Sequence, residues 1–113
     1  MQVYKNYIDG KWVKSESDKT FDSLNPATEI IIGKFQKSIK NDVLTAISAA
    51  KKAFPLWRDT PAPKRAEYLW KIRDLLTKEK ESLAKLEVKE MGKVISAAIG
   101  DVQEAIDVFE YMA

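Results

Sequence analysis

The feature that most constrains this chain is a change in the spacing of its apolar residues near position 37. Before that point apolar residues come in short strand-like runs broken by turn residues, and after it they recur every three or four positions. Such a chain has to build strands first and helices second, which gives a mixed α/β class. Asp9-Gly10 lies between Tyr7-Ile8 and Lys11-Trp12-Val13, a hairpin signal because both turn residues must tolerate positive φ. A two-residue loop sets Ile8 opposite Lys11 and Tyr7 opposite Trp12, an aromatic cross-strand pair. Residues 15–19 read as a polar loop, 20–24 as a short strand, and Asn25-Pro26-Ala27-Thr28 as a turn. Residues 29–36 read as a second strand, whose three successive isoleucines imply cover on both faces.

From Ser38 the pattern is helical. Ser38 is the expected N-cap of a helix carrying Ile39, Val43, Ile47, Ala50 and Phe54 on one face, and Pro55 is expected to end it. Thr60 is then expected to cap a second helix with Pro61 at its first position. Its apolar face carries Ala66, Leu69, Ile72 or Arg73, and Leu76, with Trp70 beside it. A third helix over about 81–91 is expected to bury Leu83, Leu86 and Met91, with Gly92 as its C-cap and Lys89 and Lys93 near its negative end. A fourth runs from about Val94 with Ile95, Ala98, Val102, Ile106 and Phe109 on one stripe. Glu110-Tyr111-Met112-Ala113 supplies neither a capping residue nor a base, which reads as a helix cut short.

Chemistry is bounded by what is missing. The 113 residues contain no cysteine and no histidine, which excludes a thiol nucleophile, a disulfide framework, a Cys/His zinc site and a histidine base within them. All 19 basic side chains precede residue 94, while the last twenty residues carry four acids (Asp101, Glu104, Asp107, Glu110) and no base. The lysines are spaced along helical patterns and interleaved with glutamates, a solvated face rather than a nucleic-acid footprint. No apolar run approaches a membrane span, and MQVYKNYIDGKW lacks a signal-peptide core, so a cytoplasmic protein is expected. Met91-Gly92-Lys93 lacks the earlier glycine and the following Ser/Thr of a phosphate loop, and the four glycines form no G-x-G-x-x-G. Lys93 could serve as an activated amine or simply follow a helix end. Trp12, Trp57 and Trp70 could stack a ligand or anchor packing, and Asp101, Glu104 and Asp107 could face a cation or solvent.

Several strings in register resemble the amino-terminal part of the aldehyde dehydrogenase superfamily. YIDGKWV resembles its opening hairpin, and Asn25-Pro26-Ala27-Thr28 with Ile32-Gly33-Lys34 its N-P-A-T-G-E-x-I-G turn and strand. Ala49-Ala50-Lys51-Lys52-Ala53-Phe54 with Trp57, Lys64-Arg65-Ala66 with Leu69, Glu90-Met91-Gly92-Lys93, and Gly100-Asp101-Val102 resemble its later helical motifs. Glu29 stands where the family's turn carries glycine, so a positive φ there comes at a cost. Ala97 and Ile99 replace two residues often charged in the family.

The resemblance implies the fold of the family's coenzyme-binding domain, with residues 1–113 an incomplete amino-terminal part: hairpin and strands over 1–36, helices over 38–113. It implies an NAD(P)+-dependent oxidation of an aldehyde to a carboxylic acid. A cysteine attacks the carbonyl, hydride passes to the nicotinamide, and a glutamate-activated water hydrolyses the thioester. No residue here matches the family's cysteine, base, oxyanion asparagine or cofactor loop, so no catalytic and no cofactor-binding residue is expected in this chain, and NAD or NADP belongs to the complete enzyme. A structural monovalent cation is implied at a main-chain carbonyl of Ser23 or Leu24 and the carboxylate of Asp101; the plainer role for Asp101 is a first-turn helix carboxylate. The partners implied are the remainder of the dehydrogenase chain or a complementary polypeptide of a split enzyme, in a homo-oligomer, with neither nucleic acid nor membrane. A free-standing helical interaction module is the rival reading. It predicts a monodisperse, cooperatively melting chain, whereas a segment should expose apolar surface.

Overall fold

A computed structural model describes residues 2–113. Five strands precede four helices: β1 (Val3–Tyr4), β2 (Asn6–Ile8), β3 (Lys11–Val13), β4 (Thr20–Leu24), β5 (Ile31–Gln36), α1 (Lys40–Asp59), α2 (Ala62–Lys78), α3 (Lys80–Met91) and α4 (Ile95–Met112). The chain divides into two compact units. The first comprises 1–24 and 28–59, and the second 25–27 and 60–113.

In the first unit β2 and β3 form the expected antiparallel hairpin, with Tyr7 opposite Trp12 and Ile8 opposite Lys11. Asp9 and Gly10 have φ of 52° and 75°, the two positive values that a type I′ turn requires. The Tyr7 and Trp12 rings meet edge to face with centroids 5.0 Å apart. A separate sheet has the order β1-β5-β4, with β1 parallel and β4 antiparallel to β5. The two-residue β1 was not expected, because so short a strand carries no pattern. Tyr4, Phe35 and Phe21 stack across this sheet, Phe35 lying 5.0 Å from Tyr4 and 5.7 Å from Phe21. Gly33 sits under that stack, where an added Cβ would come within 2.9 Å of the Tyr4 ring.

Strand β5 begins at Ile31 rather than at residue 29. Glu29 adopts φ 58°, which completes the turn in a left-handed conformation incompatible with a strand. Ile30 consequently lies outside the sheet and is 65% exposed, so the three isoleucines are not covered alike.

Two further expectations fail in α1. It begins at Lys40, leaving Ser38 outside, and the Ile39 amide donates to the Asp42 carboxylate at 2.8 Å. Asp42 thus supplies the reach-back half of a capping box, while the Ser38 hydroxyl accepts from Asn6. Pro55 lies inside α1, which continues to Asp59. A proline costs a helix one hydrogen bond and a local clash but need not end it where both flanks keep helical contacts.

In the second unit α2 starts at Ala62 with Pro61 as its N-cap and Pro63 inside its first turn, so Thr60 and Pro61 each sit one place earlier than expected. The Pro61 carbonyl accepts from the Lys64 and Arg65 amides. Ala66, Leu69, Arg73 and Leu76 form the partly buried stripe, and Ile72 is the more exposed of the alternatives. The apolar core comprises Ala84, Ala98, Val102 and Ile106, with Leu76, Leu83 and Val88 packed against it. Leu86 and Met91, expected inside, are 53% and 63% exposed, because α3 turns Ala84 and Val88 toward α4 instead. Gly92 caps α3 at φ 71°, its amide bonded to the Val88 carbonyl, and Pro26 crowds the position a Cβ would take.

Candidate functional site

Two of the side chains that the sequence singles out for chemistry, Lys93 and Asp101, meet at the α3–α4 junction. Gly92 reverses the backbone in its left-handed cap, and Val94 begins α4 in an extended conformation. Lys93 therefore lies between two helices with its long stem free to reach either. Its ammonium donates to Glu87 of α3 at 3.3 Å and to the Asp101 carboxylate of α4. The three side chains are half-sheltered: 35% exposed for Lys93, 22% for Glu87 and 41% for Asp101.

This arrangement redraws two roles. Lys93 spends its donors on two carboxylates, which suits a tie between helices and not a free amine nucleophile. Asp101 is in the second turn of α4, and the first turn holds no acid, so it is not a helix-start carboxylate. Glu104 and Asp107 lie farther along α4 and are exposed. Ser23 pairs with Gly33 in the sheet of the first unit, and Asp101 belongs to the second. Glu87 went unnoticed in the sequence, although a glycine cap between an acid and a lysine is the signal that brings such residues together.

The tryptophans sit at other places. Trp12 belongs to the exposed face of the hairpin and Trp57 to the last turns of α1, while Trp70 carries the Arg73 guanidinium 4.4 Å above its ring. Arg73 also reaches Asp74 and Glu110, joining α2 to α4.

The first unit holds a second polar cluster, which the sequence did not reveal. Ser15, Gln36 and Asp42 are all buried. Asp42 accepts from the Ser15 hydroxyl at 2.6 Å and from the Ile39 and Glu16 amides at 2.8 and 3.1 Å, while the Ser15 amide donates to Gln36. Hydrogen bonds from Ser15, Ile39 and Glu16 hold the Asp42 carboxyl below its ordinary value. This cluster fixes the 15–19 loop to the start of α1; the Ser15 hydroxyl lies beside the Asp42 carboxylate, but two amides share that carboxylate and its lowered pKa makes it a poor base.

Among the described residues, no group of three or more acidic, histidine or cysteine side chains is placed to hold a metal ion. No helix there is long and apolar enough to cross a membrane. What the geometry offers instead is apolar surface. Phe54, Leu56 and Trp57 of α1 are 57%, 80% and 44% exposed, and Tyr111 and Met112 of α4 are 87% and 67% exposed.

A family model described as "Aldehyde dehydrogenase family" matches residues 12–113. Malonate-semialdehyde dehydrogenase 1 of Geobacillus kaustophilus is 43% identical over 111 residues, covering 98% of this chain and 23% of its own length. A betaine aldehyde dehydrogenase of Staphylococcus aureus, solved in complex with NAD+, superposes with a TM-score of 0.92 at 33% identity, over 96% of this chain and 22% of that one. The lactaldehyde dehydrogenase of Escherichia coli gives 0.93 at 34% identity, over 96% and 23%. The chain thus spans about a quarter of the length of the relatives it matches.

Proposed function

The chain belongs to the aldehyde dehydrogenase family, and we propose that it supplies the amino-terminal part of an enzyme that oxidises an aldehyde to a carboxylic acid with NAD+ or NADP+. The observation that carries this reading is a match along nearly the whole chain to only about 23% of the relative's length. The dinucleotide, bound by the complete enzyme, accepts the hydride. This chain's own residues contribute a scaffold: the hairpin, the three-stranded sheet, and the helices tied by Lys93 and Arg73. Similarity to a malonate-semialdehyde dehydrogenase makes aldehydes that also bear a carboxylate the first class to assay. A cytoplasmic location and a homo-oligomeric complete enzyme belong to the same reading.

The exposed apolar side chains support a segment that is covered by further polypeptide, from the same chain or from a complementary one. The purified 113-residue chain, given NAD+ or NADP+ and a panel of semialdehydes, should form no NAD(P)H. It should also bind a hydrophobic dye and melt broadly. Turnover by the chain alone overturns the proposal. A sharp, dye-free melt of a monodisperse chain favours a free-standing interaction module instead.

A further inference from the structure

The family resemblance implies a monovalent metal ion at Asp101, yet that carboxylate already has a positive partner from its own chain. We propose that the Lys93 ammonium is the resident counter-ion of Asp101 in this protein, closing the α3–α4 junction with an internal charge in the place of a metal ion. Gly92 fixes the register that makes this possible, since its left-handed cap sets Lys93 between Glu87 on one helix and Asp101 on the next. The contact is half-sheltered, so solvent and salt screen it less than the open pairs Lys14–Asp18 and Lys85–Glu81. A hard cation needs several oxygen ligands; among the described residues no group of three or more acidic, histidine or cysteine side chains is placed to hold one, and the ammonium lies against both the Glu87 and the Asp101 carboxylates. A metal ion binding Asp101 there has to displace that ammonium or stand beside a like charge.

The inference concerns structure alone and stands whether or not the complete protein is a dehydrogenase. Its test is amide exchange in the first two turns of α4, measured in NaCl, KCl and tetramethylammonium chloride at equal ionic strength. The unaltered chain should show the same protection in all three salts. Lys93→Met and Asp101→Asn should each lose protection several-fold, and the double variant should lose no more than the weaker single one. The Lys93 side-chain ammonium should also give a slowly exchanging nitrogen resonance that added KCl leaves in place. If Lys93→Met fails to fold, this resonance and the salt series on the unaltered chain decide the matter. Protection that rises several-fold in NaCl or KCl over tetramethylammonium chloride and vanishes in Asp101→Asn overturns the proposal, as does a resonance that potassium displaces.

Discussion

The two units bury opposite kinds of chemistry. Among the described residues, every buried apolar side chain (Ala84, Ala98, Val102, Ile106) lies in the helical second unit, and every buried polar one (Ser15, Gln36, Asp42) lies in the first. The second unit is held in the ordinary way, by small residues that let α3 and α4 approach and by a stripe of branched ones. The first is held by a hydrogen-bonded node and a stack of three aromatics across a thin sheet. Among the described residues, no large side chain is fully buried in either. The contrast teaches that scaffold segments of this kind can keep their geometry by local ties, leaving their broad apolar faces for other polypeptide to cover.

That contrast can be broken most forcefully in the second unit. Ile106→Ala should lower the opening free energy of α3 and α4 amides by about 3 kcal/mol, since it removes a branched side chain from the core. A loss well under that would mean that the seam is not what holds the helices. Next, Gly92→Ala should cost about 2 kcal/mol in the same amides, from the left-handed backbone and the approach of Pro26. In the first unit, Asp42→Ala should free the Ile39 and Glu16 amides to exchange, with a smaller loss elsewhere in the sheet. Acid offers a gentler version of the same test. The Asp42 carboxyl is held below its ordinary 3.8 in the folded chain, so the unfolded state takes up its proton first. Its contribution is present above about pH 4 and fades as pH falls through the folded value, a loss that amide exchange at Ile39 should follow. The smallest effect should be a gain: Glu29→Gly relieves a left-handed non-glycine residue and should stabilise the turn by up to about 1 kcal/mol.

How far each unit could be read from sequence follows the same division. Periodicity and turn chemistry depend on residues near one another, so the hairpin, the Gly92 cap and the Ala98–Val102–Ile106 stripe were all legible. The strand-breaking conformation of Glu29 was anticipated as a cost, because a glycine belongs at that place in the family's turn. What escaped notice depends on residues far apart. Asp42 outcompetes Ser38 for the start of α1 only because Ser15 and the Glu16 amide, more than twenty residues away, share its carboxylate. Pro55 reads locally as a stop, and only the continuation of α1 to Asp59 shows otherwise. At the α3–α4 junction Lys93 and Asp101 were each noticed, while Glu87, the third member, was not. The proposed catalytic function was legible only as family resemblance, since no residue of this chain matches the motifs to which the family's chemistry is ascribed.

The central claim is that these residues form an interchangeable structural part of an aldehyde dehydrogenase. Its most direct test replaces the matching segment of the Geobacillus kaustophilus malonate-semialdehyde dehydrogenase with residues 1–113 and measures semialdehyde-dependent NADH formation. The account predicts a soluble chimera whose kcat stays within about tenfold of the parent, a change of no more than ~1.4 kcal/mol in the barrier. A chimera that folds and binds NAD+ yet loses turnover by several orders of magnitude would contradict it.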